Sequence, residues 1–119
     1  MQINPIVCVG ESLQIKETEK TKDHLRNQLS VLDSETEDLI VAYEPIWAIG
    51  TGLVPTEKEI DEAIGSIREI FKKPIKVLYG GSVKASNAQI LLDNTDINGL
   101  LVGGASLNAQ EFAKIAQLC

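Results

Sequence analysis

Leu39-Ile40-Val41-Ala42-Tyr43 is an apolar run that Glu44-Pro45 stops at once. It is too short for a helix and has no polar alternation, which is how a strand covered on both faces reads. Three other runs have the same character: Ile6-Val7-Cys8-Val9, Ile75-Lys76-Val77-Leu78-Tyr79 and Leu100-Leu101-Val102. Between them the apolar residues fall at helical spacing. Ile60, Ala63, Ile64, Ile67, Ile70 and Phe71 form one stripe. Thr56 with Glu59 gives a capping-box signature before it, and Ser86 with Gln89 and Asn108 with Glu111 repeat the signature before two later helices. The first helix is expected from about Lys16 to Leu32, with Leu25, Leu29 and Leu32 inward. Asp33 to Asp38 reads as an acidic turn. The order β-α-β-α-β-α-β-α implies an α/β fold with a parallel sheet and right-handed crossovers.

The 119 residues are 44% hydrophobic, 24% charged and 4% aromatic, which suits a single globular unit over 1–119. Net charge is −6 with no basic stripe, so no nucleic-acid partner is expected. No apolar run reaches the roughly 20 residues of a membrane span, so no membrane partner is expected either. Met1-Gln2-Ile3-Asn4-Pro5 lacks the basic-then-apolar order of a signal peptide. Cys8 and Cys119 are too far apart for a metal motif, and two reduced thiols in a cytoplasmic protein are expected.

Candidate chemistry gathers after the strands, where α/β folds place ligands. Glu44 reads as a general base if it projects inward with Ile40 and Ala42, and as a capping residue otherwise. Pro45 to Gly52 packs Ile46, Trp47 and Ile49 between a proline and glycines. That suits a rigid lid with hinged ends, and equally an ordinary packed loop. Gly80-Gly81-Ser82 and Gly103-Gly104 each follow a strand and precede a helix. Their N–H groups can converge on one anion, or serve only as tight turns. His24, the sole histidine and so an acid–base candidate, lies among Lys20, Lys22, Asp23 and Arg26, away from the strand ends, and reads rather as a solvated or partly packed helix residue. Cys8, inside a strand, reads as a small buried hydrophobe.

The eleven residues Ala42-Tyr43-Glu44-Pro45-Ile46-Trp47-Ala48-Ile49-Gly50-Thr51-Gly52 closely resemble the signature of the triosephosphate isomerase family. Tyr79-Gly80-Gly81-Ser82-Val83 and Leu101-Val102-Gly103-Gly104-Ala105-Ser106-Leu107 resemble its two phosphate-gripping turns, and Ile6-Val7-Cys8-Val9-Gly10-Glu11 its fifth strand. The resemblance implies that Glu44 is the base and that Pro45 to about Val54, including Thr51 and Gly52, is the lid. It implies a phosphate cradle from backbone N–H groups of Gly50, Ser82, Gly103 and Gly104. It places Tyr79 and Ser82 against the closed lid and Glu11 near Trp47 in the open form. No cofactor and no metal are implied; the ligand is a triose phosphate or a phosphate anion.

A (β/α)8 barrel, of which triosephosphate isomerase is the type example, takes about 250 residues. Four βα units make half of one, matching the family's fifth to eighth units. The Asn-x-Lys and Gly-His-Ser segments of the family's first half do not occur here. Their Lys and His are the electrophiles, and His24 lacks the matching neighbours. A four-stranded open sheet has two unpaired edges and an apolar face, which invite association. Two expectations follow: completion by an N-terminal half that restores isomerisation, or an inactive homodimer of half-barrels that keeps phosphate binding.

Overall fold

In the computed structural model, residues 3–119 are described; Met1 and Gln2, at the start of the segment read for a signal, lie outside them. Four strands form one parallel sheet in chain order: β1 (Ile6–Val9), β2 (Ile40–Tyr43), β3 (Lys76–Tyr79) and β4 (Gly99–Leu100). Register puts Val9, Tyr43, Tyr79 and Leu100 in one row, and Cys8, Ala42, Leu78 and Gly99 in the next. Side chains alternate faces along a strand, so adjacent rows face opposite ways.

One face meets the helices. Val9, Val41, Tyr43, Val77 and Tyr79 pack there with Leu25, Leu29, Ile60, Ile64, Ile67, Ala88, Leu91 and Ile115. The helices are α1 (Leu13–Glu17), α2 (Thr21–Leu29), α3 (Glu57–Arg68), α4 (Ala85–Asn94) and α5 (Ala109–Ala116). Single 3-10 turns at Ile46–Ala48 and Gly104–Leu107 interrupt two of the loops. Among the described residues no helix is long and apolar enough to cross a membrane.

The other face is open. Ile6 is 45% exposed, Cys8 and Lys76 are exposed, and Ile40 and Leu78 are half-buried. Ala42, small and central, is the covered exception. The reading of Cys8 as buried is therefore wrong. The strand pattern fixes which face a residue takes, but not whether that face has a cover.

Three boundaries differ from expectation. The single helix over Lys16 to Leu32 is two helices. Glu19 takes a left-handed φ of 57°, and the Thr18 hydroxyl donates back to the carbonyls of Gln14 and Ile15. The four-residue pattern stops there: Glu19 N–H bonds the Lys16 carbonyl and Lys20 N–H the Ile15 carbonyl, three and five residues back. Leu25 and Leu29 are fully buried, whereas Leu32 lies beyond the helix and is only partly covered. The fourth strand is Gly99–Leu100, not Leu100 to Val102. Leu101 N–H still donates to the Tyr79 carbonyl at 2.8 Å, after which the chain turns into the site. Helix α4 begins ahead of the Ser86–Gln89 signature. Lys84 is its cap residue, and Asn87 Oδ1 accepts from Lys84 N–H at 2.8 Å.

The other two signatures differ from each other. At α3 the box is complete: Thr56 Oγ1 accepts from Glu59 N–H, and Glu59 accepts from Thr56 N–H. At α5 Asn108 Oδ1 accepts from Glu111 N–H. The Glu111 carboxylate, however, reaches across to the Ala85 N–H at 2.8 Å, tying α5 to the start of α4.

Candidate active site

All four strands end on one rim. There the chain passes through Gly10-Glu11, Glu44-Pro45, Gly80-Gly81 and Leu101 to Gly104. Glu44 is held from both sides. Its own N–H donates to the Val9 carbonyl at 2.7 Å, and Gly80 N–H donates to the preceding Tyr43 carbonyl at 2.9 Å. A Cβ at Gly80 would lie 2.6 Å from Glu44 Cγ, and one at Gly10 only 1.8 Å from the Glu44 carbonyl oxygen. The two flanking glycines are thus what the carboxylate's position requires. Glu44 itself is half-buried, and Cys8 stands beside it on the open face. Partial burial pushes the Cys8 thiol pKa up, and the Glu44 charge and hydrogen bond push it further the same way.

A cleft of about 620 Å³ runs from Glu44 along the rim. Gly50, Gly80, Gly81, Ser82, Gly103 and Gly104 line it, with Ile49 and Gly52 from the loop after β2. The two glycine turns, separate in sequence, therefore face one space. Val83, the last residue of the Tyr79–Val83 motif, lines it too, and sequence reasoning missed Lys84 and Glu111, which also do. Lys84 adds a cation at the mouth; its only sequence signal was its place just past the Gly-Gly-Ser turn.

The Pro45–Gly52 segment divides into an anchored start and a loose middle. Pro45 and Ala48 are buried, and Ile46 N–H donates to the Glu11 carbonyl at 2.9 Å. Ser82 Oγ donates to the Ala48 carbonyl. Beyond that point Ile49 is 49% exposed and Thr51 is exposed, while Gly50 and Gly52 take φ of 67° and 78°. Those angles strain any residue with a Cβ.

Behind the rim, away from the cleft, Glu11 is 1% exposed. It accepts from Tyr43 OH at 2.9 Å, from Trp47 Nε1 at 3.3 Å and from Thr21 Oγ1 at 3.4 Å. Burial and then this carboxylate drive the Tyr43 phenol pKa far up, so it stays a donor. Tyr79 is fully buried, its ring centroid 6.4 Å from that of Tyr43, and its hydroxyl has no hydrogen-bond partner among the described residues. Burial raises its pKa as well. The roles of Tyr43 and Thr21 in holding Glu11 had no local signal in the sequence. His24 sits half-buried on α2 and lines neither this cluster nor the cleft. Among the described residues no group of three His, Cys, Asp or Glu side chains could hold a metal ion.

The family model for triosephosphate isomerase matches residues 1–119. The chain belongs to the triosephosphate isomerase family. It is 46% identical to the triosephosphate isomerase of Bradyrhizobium diazoefficiens over 127 aligned residues, covering 98% of this chain and 51% of that protein. It is 47% identical to the triosephosphate isomerase of Mesomycoplasma hyorhinis, covering 98% of this chain and 49% of that protein. For the triosephosphate isomerase of Chlamydia felis the figures are 44%, 93% and 48%. The chain spans about half the length of the curated relatives it matches. Its four-stranded sheet is accordingly a (βα)4 half of the family's (β/α)8 barrel.

Proposed function

We propose that this chain supplies the C-terminal half of a triosephosphate isomerase site, interconverting dihydroxyacetone phosphate and glyceraldehyde 3-phosphate once an N-terminal half completes the barrel. The observation that carries this is the shared cleft: one half-buried carboxylate and two glycine turns face the same space in a chain of this family.

On this reading Glu44 removes a proton from the carbon next to the substrate carbonyl and returns it to the neighbouring carbon, with no net change in atoms or electrons. Backbone N–H groups of Gly50, Ser82, Gly103 and Gly104 hold the phosphate, and Lys84 adds charge at the cleft mouth. The segment from Pro45 to about Val54, with its free middle and glycine hinges, closes over the substrate and excludes water. The chemistry asks for no cofactor. Among the described residues that line the cleft, Lys84 is the one cation and there is no imidazole, so on this reading the partner half supplies the Lys and His electrophiles. Without such preorganised donors the rate falls by orders of magnitude, about 10²–10³ for a single lost donor. The free chain is then expected to be inactive.

Mixing the chain with a family N-terminal half and assaying triose phosphate interconversion tests this. Turnover that disappears in Glu44→Gln supports it; a stable, folded complex without turnover overturns it. The open face and free sheet edges also favour a second reading, a homodimer of half-barrels with no turnover. Sedimentation of the chain alone separates the two. A stable dimer that refuses the N-terminal half and still takes up inorganic phosphate decides for the second.

A further inference from the structure

Trp47 opens the segment read above as a lid, and Thr56 caps the helix that closes it. One side chain touches both arrangements. The Lys16 ammonium lies 4.6 Å from the centroid of the Trp47 ring, inside cation–π range. It also pairs with Glu59 Oε1 at 2.8 Å. Glu59 gives its other oxygen, Oε2, to Thr56, accepting from the N–H at 2.8 Å and from the hydroxyl at 3.1 Å. Trp47 is fixed on its edge as well, by the indole N–H donated to Glu11. Trp47, near the segment's start, and Thr56, two residues past its end and nine positions from Trp47, are therefore joined through a residue of α1 that belongs to neither. The joint crosses a groove of about 830 Å³ between α1, α2 and α3, outside the cleft. By contrast Leu53 and Val54, in the free stretch, are 55% and 41% exposed.

We propose that Lys16 is a positioning residue that clasps both ends of the Pro45–Val54 segment, holding the Trp47 ring in place while the middle of the segment remains free to move. This rests on the lid reading of that segment. Lys16 reaches no cleft residue and takes no part in the chemistry. Its side chain is 29% exposed, so replacing it removes the clasp without opening the core.

Trp47 is the only tryptophan, so the chain's tryptophan fluorescence reports the surroundings of this ring. In the 119-residue chain, Lys16→Met is expected to raise quenching of Trp47 by neutral acrylamide about threefold, the loss expected for one partly exposed cation–π contact and its ion pair. Lys16→Arg restores the wild-type value, because a guanidinium both stacks on a ring and pairs with a carboxylate. Glu59→Gln, which keeps an oxygen for Thr56 but no charge for Lys16, falls between. Far-UV circular dichroism identifies any variant that fails to fold, in which case Glu59→Gln carries the test. Wild-type quenching in both Lys16→Met and Glu59→Gln overturns the clasp, as does a Lys16→Arg that behaves like Lys16→Met. Inorganic phosphate added to the wild type separates the two ideas. If Trp47 emission ignores phosphate, the lid reading suffers and the clasp stands. If emission responds while Lys16→Met matches wild type, the lid stands and the clasp fails.

Discussion

Three donors converge on Glu11, and the side chain is sealed from water. Removing the carboxylate leaves the buried Tyr43 hydroxyl and the half-buried Trp47 indole without acceptors, and a fully buried orphan costs about 1–3 kcal/mol. Glu11→Ala is thus expected to lower unfolding free energy by about 2–4 kcal/mol in urea. Glu11→Gln, which keeps the shape and one acceptor oxygen, should lose less than half as much; equal losses would mean that the charge or the second oxygen, which an amide cannot supply, carries the cluster. Tyr79 is the converse case. Its hydroxyl is buried and unpaired, so Tyr79→Phe is expected to leave the melting temperature unchanged or raise it by a few degrees, about 1 kcal/mol. A clear fall in melting temperature would show that the hydroxyl has a partner after all. Residues such as Glu44 and Trp47 were legible because a contiguous motif carries them. The Glu11 cluster was not, because Tyr43 and Thr21 reach it from other elements. Cys8 was misread for a different reason: alternation assigns a face, and cover comes from elsewhere in the fold.

At the scale of elements, strands were the most legible feature. Each is a short aliphatic run ended by Gly, Glu or Pro, and three of the four lie within a residue of the expected bounds. The helix break at Thr18 to Lys20 was hidden, since the stretch is wholly polar and its left-handed residue is a glutamate, not a glycine. The α4 start was hidden because two capping patterns overlap, Lys84 with Asn87 and Ser86 with Gln89, and tertiary position chose the first. Where a box was legible and complete, at α3, it predicts a pH dependence. The hydrogen bond from the Lys16 ammonium is the largest influence on Glu59; partial burial opposes it, and the Thr56 N–H and hydroxyl add to it, leaving the pKa below its ordinary 4.5. A carboxylate lowered in the native state stabilises the fold fully above pH 4.5, and that stabilisation fades as pH falls through the native value. Wild type should therefore melt above Glu59→Gln near neutrality, with the gap closing under acid. A gap that persists at pH 2 would place the cap's contribution in geometry and not in charge.

The whole molecule is a shallow bowl, 40 × 39 × 24 Å, whose radius of gyration of 14.2 Å exceeds the roughly 13.5 Å of a compact domain this long. Its outer layer is a finished core, whereas its inner face presents Ile6, Ile40, Leu78 and a thiol beside the Glu44 carboxylate. A sequence can announce four βα units, but only the sheet's geometry shows that one face, Ala42 aside, remains open. Cys8 is the natural reporter on that face. With Cys119 replaced by Ser, maleimide labelling of the free chain should proceed at Cys8. Its rate should keep climbing beyond pH 9.0, the ordinary thiol value, because burial and the Glu44 carboxylate both disfavour the thiolate. Once an N-terminal half or a second copy covers the bowl, labelling should slow by about tenfold or more, since thiol reactivity follows access. If Cys8 labels at the same rate within a stable complex, the partner must dock on the helices or the strand edges. The inner face would then have to be dismissed as the mating surface, and with it the completion of a barrel around Glu44.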